Sequence, residues 1–133
     1  EGSFTYFSDF TLYDVHRGEL LFVSPGQLHD YFLKAGSVRV MLIGFRPAIL
    51  PEVGRHVLHI LPFDDTKRAP TLCVPAEMKP VLHSLFGAAH GRFDAQTTGW
   101  ETIVTTYLQT ILTEAAYLMP SDLRTQASSA GVL

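Results

Sequence analysis

The sequence predicts a mainly β fold with α, in which a small β barrel or sandwich is followed by two C-terminal helices. Two observations predict this order. Residues 1–46 consist of short runs of alternating apolar and polar side chains, and turn-forming residues separate these runs. From Pro75 onward, apolar side chains instead recur every three to four positions, which is the period of an α-helix.

Five runs among residues 1–46 have the composition and alternation of strands. They are residues 4–7, 10–16, 19–23, 29–34 and 38–45. The third run is nearly all apolar, which favours a strand that is buried on both faces. In the fourth run, His29 and Tyr31 share one face, whereas Asp30 and Phe32 share the other. The first half of the chain is therefore predicted to be built from short strands.

The middle of the chain is less regular. Residues 57–63 predict a strand, residues 64–70 a polar exposed segment, and residues 71–74 another short strand. The last of these contains Cys73, which is expected to be a buried and inert thiol because its neighbours are apolar. Since Cys73 is the only cysteine, the chain cannot form an internal disulfide.

The first helix is predicted to begin close to Pro80, because proline lacks a backbone N–H and is tolerated in the first helical turn. Gly91 is predicted to end it. The second helix is predicted to begin at a capping box formed by Thr98 and Glu101 and to end before Pro120. Its apolar residues form one stripe: Trp100, Ile103, Val104, Tyr107, Leu108, Ile111, Leu112, Ala115 and Leu118.

The composition bounds the class of protein. The chain has 133 residues, which favours one domain, and 47% of them are hydrophobic, which excludes wholesale disorder. A net charge of −3 with only 17% charged residues makes the chain a poor nucleic-acid binder by itself. No apolar run approaches the roughly 18 residues that a membrane span requires.

The six histidines suggest a metal site, but their spacing does not support one. His29 opens a strand after a Pro-Gly turn, and the nearby acids Asp14 and Glu19 show no ligand spacing. His56 and His59 face opposite sides of the predicted strand. No phosphate-binding loop and no catalytic serine or cysteine motif occurs either. The sequence therefore predicts no metal site, no cofactor and no catalytic residue.

The segment H-R-G-E-L-L-F-V-S-P-G-Q-L-H-D-Y, residues 16–31, resembles a cupin strand–turn–strand: a Gly-acidic pair, an apolar strand, Pro-Gly, two residues and then His. More narrowly, it resembles the N-terminal sensor and dimerisation domain of AraC-family bacterial transcription regulators. The resemblance continues through the Phe-Arg-Pro step at residues 45–47 and the Leu-Phe-Gly step at residues 85–87, and it covers residues 1–119.

The resemblance implies a cupin-like (double-stranded β-helix) barrel over residues 1–74. Residues 75–119 would be helices that pack on the barrel and form the dimer face. Residues 120–133 would be a linker toward a DNA-binding domain that lies outside this sequence. The implied function is effector sensing and dimerisation, without catalysis, in a cytoplasmic regulator. It would be a homodimer that has no membrane contact and meets DNA only through that C-terminal helix-turn-helix domain.

Six residues are predicted to line the effector site: Tyr6, Tyr13, His29, Tyr31, Val40 and Leu42. Tyr31 falls where the arabinose-sensing member of the family has a sugar-contacting tyrosine. Val40 and Leu42, however, stand where that member has a histidine and a tryptophan, and Glu1 stands where it has an arginine. An aliphatic wall supplies neither hydrogen bonds nor stacking, so the effector is expected to be more apolar than arabinose, or absent.

Six residues of the second helix are predicted to form the dimer interface: Tyr107, Leu108, Ile111, Leu112, Ala115 and Leu118. On this interpretation Leu112→Glu would give a soluble monomer. The alternative is that the whole stripe belongs to the intramolecular core, in which case the buried charge would prevent folding.

Two other functions remain open. One is a stand-alone cupin metalloenzyme, such as an isomerase or dioxygenase, whose main metal motif would precede residue 1. The other is a regulatory domain that only dimerises and binds no effector. A barrel filled by phenylalanine side chains would favour the second; the candidates are Phe4, Phe22, Phe32 and Phe45.

Overall fold

The computed structural model describes residues 3–8, 11–24, 29–33, 38–63 and 68–120. The chain divides into two compact units. The first unit contains Glu1–Val40 and Pro62–Val74, and the second contains Met41–Leu61 and Pro75–Leu133. All described strands lie in the first unit, and all described helices lie in the second. Most strands are thus N-terminal and the long helices are C-terminal, as predicted, although the short helices at Pro47–Ile49, Glu52–Gly54 and Val57–Ile60 precede the strand Thr71–Cys73.

The first unit contains two antiparallel sheets. Three strands, β1 (Ser3–Ser8), β2 (Thr11–His16) and β4 (His29–Leu33), form a sheet in the order β2-β1-β4. Two shorter strands, β3 (Glu19–Leu21) and β5 (Thr71–Cys73), pair as a ribbon. Within the described ranges no strand joins the two sheets into a closed barrel.

The turn between β2 and β3 forms where the sequence predicts it. Gly18 has a φ of 84°, a left-handed conformation that glycine adopts without a steric penalty. The backbone N–H of His16 donates to the Glu19 carboxylate across this turn, at 2.6 Å. The backbone N–H of Val74 donates to the Gly18 carbonyl at 3.1 Å, so the same turn is also held by the chain that follows β5.

The core of the first unit lies on one face of the three-stranded sheet. Burial alternates strictly along β1, as it does in a strand with one covered face. Phe4, Tyr6 and Val15 form the buried cluster. Four partly buried side chains pack against this cluster: Tyr13 from the sheet, Leu21 and Val23 at the ribbon, and Val38.

Two of the predicted strands are wrong. Residues 38–45 alternate in sequence, yet the structure gives them no regular secondary structure. Residues 57–63 contain a helical turn, α1 (Val57–Ile60), instead of a strand. There the backbone N–H of Leu61 donates to the Val57 carbonyl at 3.1 Å, and Val57, Ile60 and Leu61 are the buried residues. Spacings of three and four are helical, so the burial pattern explains why the helix forms.

The prediction that Cys73 is buried is also wrong, because its side chain is exposed. It lies on β5 directly opposite Glu19 of β3. The apolar neighbours that suggested burial, Leu72 and Val74, occupy alternate positions on the strand. Neighbouring positions of a strand point to opposite faces, so a short apolar run does not bury each of its members.

The second unit contains two long helices, α2 (Lys79–Ala95) and α3 (Trp100–Tyr117), which pack against each other. Helix α2 begins next to Pro80, as predicted. It does not end at Gly91, but continues to Gln96, which adopts a left-handed φ of 49°. A glycine inside a helix costs about 1 kcal/mol, and this is offset by packing beyond it. In particular, the Phe93 and Trp100 rings meet edge to face at 5.5 Å.

The predicted capping box at α3 does not form. The N-cap is Gly99, with a φ of 82°, and no side chain caps the helix. The backbone N–H of Ile103 instead donates to the Gly99 carbonyl at 3.2 Å. Because the chain enters the helix through a left-handed glycine, the helix begins one residue after the position that would place Thr98 at the N-cap.

Three threonines of α3 form side-chain hydrogen bonds with the backbone of their own helix. The hydroxyls of Thr106, Thr110 and Thr113 each donate to the backbone carbonyl four residues earlier, at 2.8–2.9 Å. Gln109 reaches out of the helix, and its Nε2 donates to the carbonyl of Gly54 at 3.4 Å. Gly54 belongs to a short 3-10 helix, Glu52–Gly54, which follows another at Pro47–Ile49.

Candidate functional site

The strand register brings three tyrosines into one row across the sheet. Tyr6 of β1 lies directly opposite Tyr13 of β2 on one side and Tyr31 of β4 on the other. Residues opposite one another in antiparallel strands project from the same face. The Tyr6 and Tyr31 rings are 5.5 Å apart between centroids, in a tilted arrangement. Phe4 extends this aromatic surface, because its ring meets Tyr31 edge to face at 5.9 Å.

We call this surface the inner face of the sheet. Its three rows are Val15, Phe4 and Leu33; Tyr13, Tyr6 and Tyr31; and Thr11, Ser8 and His29. The backbone position of His29 therefore lies in the row next to the tyrosines. Four of the six predicted effector residues fall at positions on this one face: Tyr6, Tyr13, His29 and Tyr31.

The inner face differs in accessibility from one strand to the next. Tyr6, on the central strand, is fully buried at 0% exposure, and Tyr13 is half-buried. Tyr31, on the edge strand β4, is 49% exposed. A molecule that approached this face would therefore meet Tyr31 first, with Tyr6 and Phe4 supporting that ring from the side.

The other two predicted effector residues do not join the site. Val40 is 63% exposed and Leu42 is 81% exposed. Both lie in the stretch without regular secondary structure, and Leu42 belongs to the second unit. Because no strand forms there, alternation no longer fixes which side chains face the core. Val38 is the residue of this segment that packs on the inner face.

Four phenylalanines were candidates for filling a barrel, and the structure describes the surroundings of each. Phe4 lies on the inner face of the sheet, whereas Phe32 lies on the opposite face and is exposed. Phe22 packs edge to face on Phe63, with ring centroids 5.1 Å apart. Phe45 belongs to the second unit. Within the first unit, Phe4 and Phe32 therefore lie on opposite faces of the sheet, so they do not share one interior cluster.

Most of the predicted dimer face is closed by the chain itself. Leu108, Ile111, Leu112 and Ala115 are all buried, with at most 4% exposure. Tyr107 and Leu118 are half-buried. The intramolecular alternative therefore describes the first four residues, since a side chain already buried in its own subunit offers no surface to a second one. The exposed aromatic residue of α3 is Tyr117, at 68% exposure.

The structure shows where the two acids considered together with His29 lie. Asp14 pairs with Thr5 in the register and thus belongs to the face opposite that of the His29 position. Glu19 is engaged by the backbone of His16. In the described part of the chain, no three His, Cys, Asp or Glu side chains are grouped so that they could hold a metal ion.

Sequence reasoning missed Ser8 and Val38 as parts of the site. Ser8 is buried at the position opposite His29 and Thr11, so it is the polar member of the inner face on β1. The signal was available, because Phe4, Tyr6 and Ser8 follow the strict two-residue period of β1. Val38 has no comparable signal, since it lies outside any strand.

The comparisons with known proteins place the chain among regulatory ligand-binding domains. The family model described as AraC-like ligand binding domain matches residues 1–108. No curated protein matches the chain significantly, and neither does any solved structure. Among the described helices, none combines the length and the hydropathy that crossing a bilayer requires.

Proposed function

The chain belongs to the family of AraC-like ligand binding domains, and from this premise we propose that it senses a small-molecule effector within a transcription regulator. The proposal includes no catalysis by this domain. DNA would be met only through a helix-turn-helix domain of the same regulator, and the protein would act in the cytoplasm as a homodimer.

The observation that supports effector binding is the row of three tyrosines on the inner face. The Tyr6 and Tyr31 rings contact each other in a tilted arrangement, and the Phe4 ring meets Tyr31 edge to face. Ligand sites combine an apolar, aromatic lining with a few polar groups. Tyr31 supplies a half-exposed ring, and Ser8 supplies a hydroxyl in the adjacent row.

The composition of this face supports an effector with an aromatic or other apolar surface. Phe4, Val15 and three tyrosines outnumber the polar side chains of the described inner face. A sugar needs several convergent hydrogen-bonding groups, because each hydroxyl that is buried without a partner costs free energy. We therefore propose that the effector is not arabinose.

The mechanism we propose is a shift between two arrangements of the regulator. An effector that contacts Tyr31 more favourably in one arrangement raises the population of that arrangement. The change is limited by the difference between the two binding free energies. Dimerisation would involve the two predicted interface residues that remain accessible, Tyr107 of α3 and Leu118 directly after it.

The test is a binding measurement with a matched pair of variants. We would screen small aromatic acids and monosaccharides, including arabinose, by thermal unfolding, and confirm each hit by calorimetric titration. We expect an aromatic compound to bind and Tyr31→Ala to weaken it by about tenfold or more. Tyr117→Ala removes an exposed tyrosine from α3 and should leave the affinity unchanged.

Two results would overturn this proposal. Micromolar binding of arabinose would refute the apolar effector, and an unchanged affinity in Tyr31→Ala would refute the inner face as its site. Stoichiometric iron, manganese or zinc in the purified protein would instead support the metalloenzyme alternative.

A second function is supported by one observation, namely the complete burial of Tyr6. Leu21, Val23 and Val38 already pack on the cluster around it, so part of the inner face is occupied by the chain itself. This supports a domain that dimerises without an effector. A screen that yields no ligand, together with a dimer in sedimentation, would favour this second function over the first.

A further inference from the structure

The polar end of the inner face offers a second contact beside Tyr31. Ser8, Thr11 and the backbone position of His29 form the last row of this face. Ser8 is 6% exposed, whereas Thr11, directly opposite on β2, is exposed. The row therefore extends from a buried hydroxyl on the central strand to a hydroxyl that solvent reaches.

The Ser8 hydroxyl is a buried polar group that the described part of the chain leaves without a hydrogen-bond partner. Leaving a buried hydroxyl unpaired costs free energy, and such groups are few in native proteins. The other two inner-face residues of β1, Phe4 and Tyr6, are aromatic, so a serine is the exception on this strand. A ligand that forms a hydrogen bond with Ser8 would account for it.

The strand register sets the distance between this hydroxyl and the half-exposed aromatic ring. Ser8 pairs with His29, and Tyr6 pairs with Tyr31, so Ser8 and Tyr31 are diagonal neighbours on the same face. Diagonal neighbours in an antiparallel sheet lie about 7–8 Å apart. An aromatic ring that packs on Tyr31 is therefore separated from the Ser8 hydroxyl by the length of a short carbon chain.

The composition of the inner face favours an uncharged ligand. Its three rows of three positions contain no aspartate, glutamate, lysine or arginine. The carboxylates of the same sheet, Asp14 and Asp30, lie at positions on the opposite face. A charged group beside the buried Ser8 would find no opposite charge on this face, which makes its burial more costly than that of an uncharged polar group.

From the buried hydroxyl, its distance to Tyr31 and the uncharged rows, we infer that the effector is an uncharged amphipathic molecule. Its aromatic ring packs on Tyr31, and a short chain carries a hydroxyl or amide group that forms a hydrogen bond with Ser8. Thr11 lies at the solvent side of this polar contact. The inference rests on the proposed function, because it concerns the same face, and it adds the class of the effector and its orientation.

The test compares three compounds that share one carbon skeleton. 3-Phenylpropanol ends in a hydroxyl, 3-phenylpropanoic acid in a carboxylate and 3-phenylpropylamine in an ammonium group. Calorimetric titration at pH 8 keeps histidines of ordinary pKa uncharged. We expect the alcohol to bind about tenfold or more tightly than either charged compound, because neither charge is compensated on the inner face. Benzyl alcohol should bind more weakly than 3-phenylpropanol, because its shorter chain does not reach Ser8 from Tyr31.

Two serine variants of the same strand locate the polar contact. Ser8→Ala should weaken the binding of 3-phenylpropanol by about threefold to tenfold, the value of one neutral hydrogen bond. It should change the affinity for benzyl alcohol by less than about twofold, because that compound does not use the hydroxyl. The matched control is Ser3→Ala, which removes a hydroxyl from the opposite face of β1 and should leave both affinities unchanged.

The outcomes separate this inference from the proposed function. The inference alone is wrong if Tyr31→Ala weakens the binding of 3-phenylpropanol but Ser8→Ala does not, or if a charged compound binds most tightly. It is also wrong if 3-phenylpropanol does not bind while other aromatic compounds bind through Tyr31. If no aromatic compound depends on Tyr31, the proposed effector site is wrong as well. Near-ultraviolet circular dichroism would verify that each variant is folded.

Discussion

The inner face of the sheet and the apolar stripe of α3 have the same kind of sequence signal, but the fold leaves them in different states. Both are periodic apolar rows, and both are predicted to be recognition surfaces. On the sheet, Tyr31 remains half-exposed at the edge strand. On α3, Leu108, Ile111 and Leu112 are closed by the chain itself. Periodicity thus identifies an apolar face that is stabilised by burial. The packing of the chain then decides whether that face remains accessible to a partner.

The strongest test of this difference is a substitution that introduces a charge at the centre of the α3 stripe. Leu112→Glu places a carboxylate at a position that is buried in the single chain, with no cation to pair with it in the described contacts. We expect a loss of about 4 kcal/mol or more in the free energy of unfolding, which is enough to unfold a marginal domain. Urea unfolding followed by circular dichroism measures it.

The control for this substitution is Tyr117→Glu, which adds the same charge to an exposed position of the same helix. Its effect should stay within about 0.5 kcal/mol. If the Leu112→Glu protein folds as a monomer while the wild type is a dimer, the result would instead support the dimer interface that the sequence predicts.

Alanine substitutions at two tyrosines of the same row should lower the free energy of unfolding by different amounts. Tyr6→Ala removes a fully buried ring and should cost about 3–5 kcal/mol. Tyr31→Ala removes a half-exposed ring that contacts Phe4 and Tyr6, and it should cost about 1–2 kcal/mol. The two free energies of unfolding are compared by urea titration. Equal losses would mean that the inner face is closed along its whole width, as α3 is.

The smallest effects come from a pair of glycines with opposite surroundings. A Cβ at Gly54 would collide with the side-chain amide of Gln109, whereas a Cβ at Gly91 would meet nothing within 4 Å. Gly54→Ala should displace Gln109 and cost about 1 kcal/mol, the value of one hydrogen bond. Gly91→Ala should stabilise α2 by about 0.5–1 kcal/mol.

A double-mutant cycle checks the assignment of the Gly54 effect. In a Gln109→Ala background, Gly54→Ala should lose most of its cost, because the obstructing amide is gone. A cost that persists unchanged in that background would show that the backbone at position 54, rather than Gln109, resists the substitution.

Alternation was sufficient to predict the sheet. The strands around Phe4, Tyr13, Tyr31 and Leu72 all form close to the predicted positions. The same signal was wrong for residues 38–45, because a strand also needs a neighbour to pair with, and a sequence pattern does not reveal whether one is available. This error explains why Val40 and Leu42 were predicted to lie beside the tyrosines, whereas they are exposed and outside any strand.

For the two long helices, some features could be predicted from the sequence and others could not. The existence of both helices, the start of α2 and the end of α3 before Pro120 could be predicted, but the end of α2 and the start of α3 could not. Gly99 rather than Thr98 caps α3, and α2 passes through Gly91. These ends depend on local backbone conformation and on contacts such as Phe93 with Trp100. A capping residue and a terminating glycine contribute only about 1 kcal/mol each, so tertiary contacts of similar size override them.

The division of the chain into two units has a consequence for how the protein is made. Each unit takes two separate stretches of the polypeptide, and the stretches alternate along it. Glu19 pairs with Cys73, so the ribbon cannot close until the 53 residues between them have been synthesised. Pairings between distant residues slow folding, because the entropy of loop closure is lost before the contacts that stabilise the pair have formed. We therefore expect the first unit to fold only after Val74 has been synthesised, and the second unit to fold later, because its last stretch follows Val74.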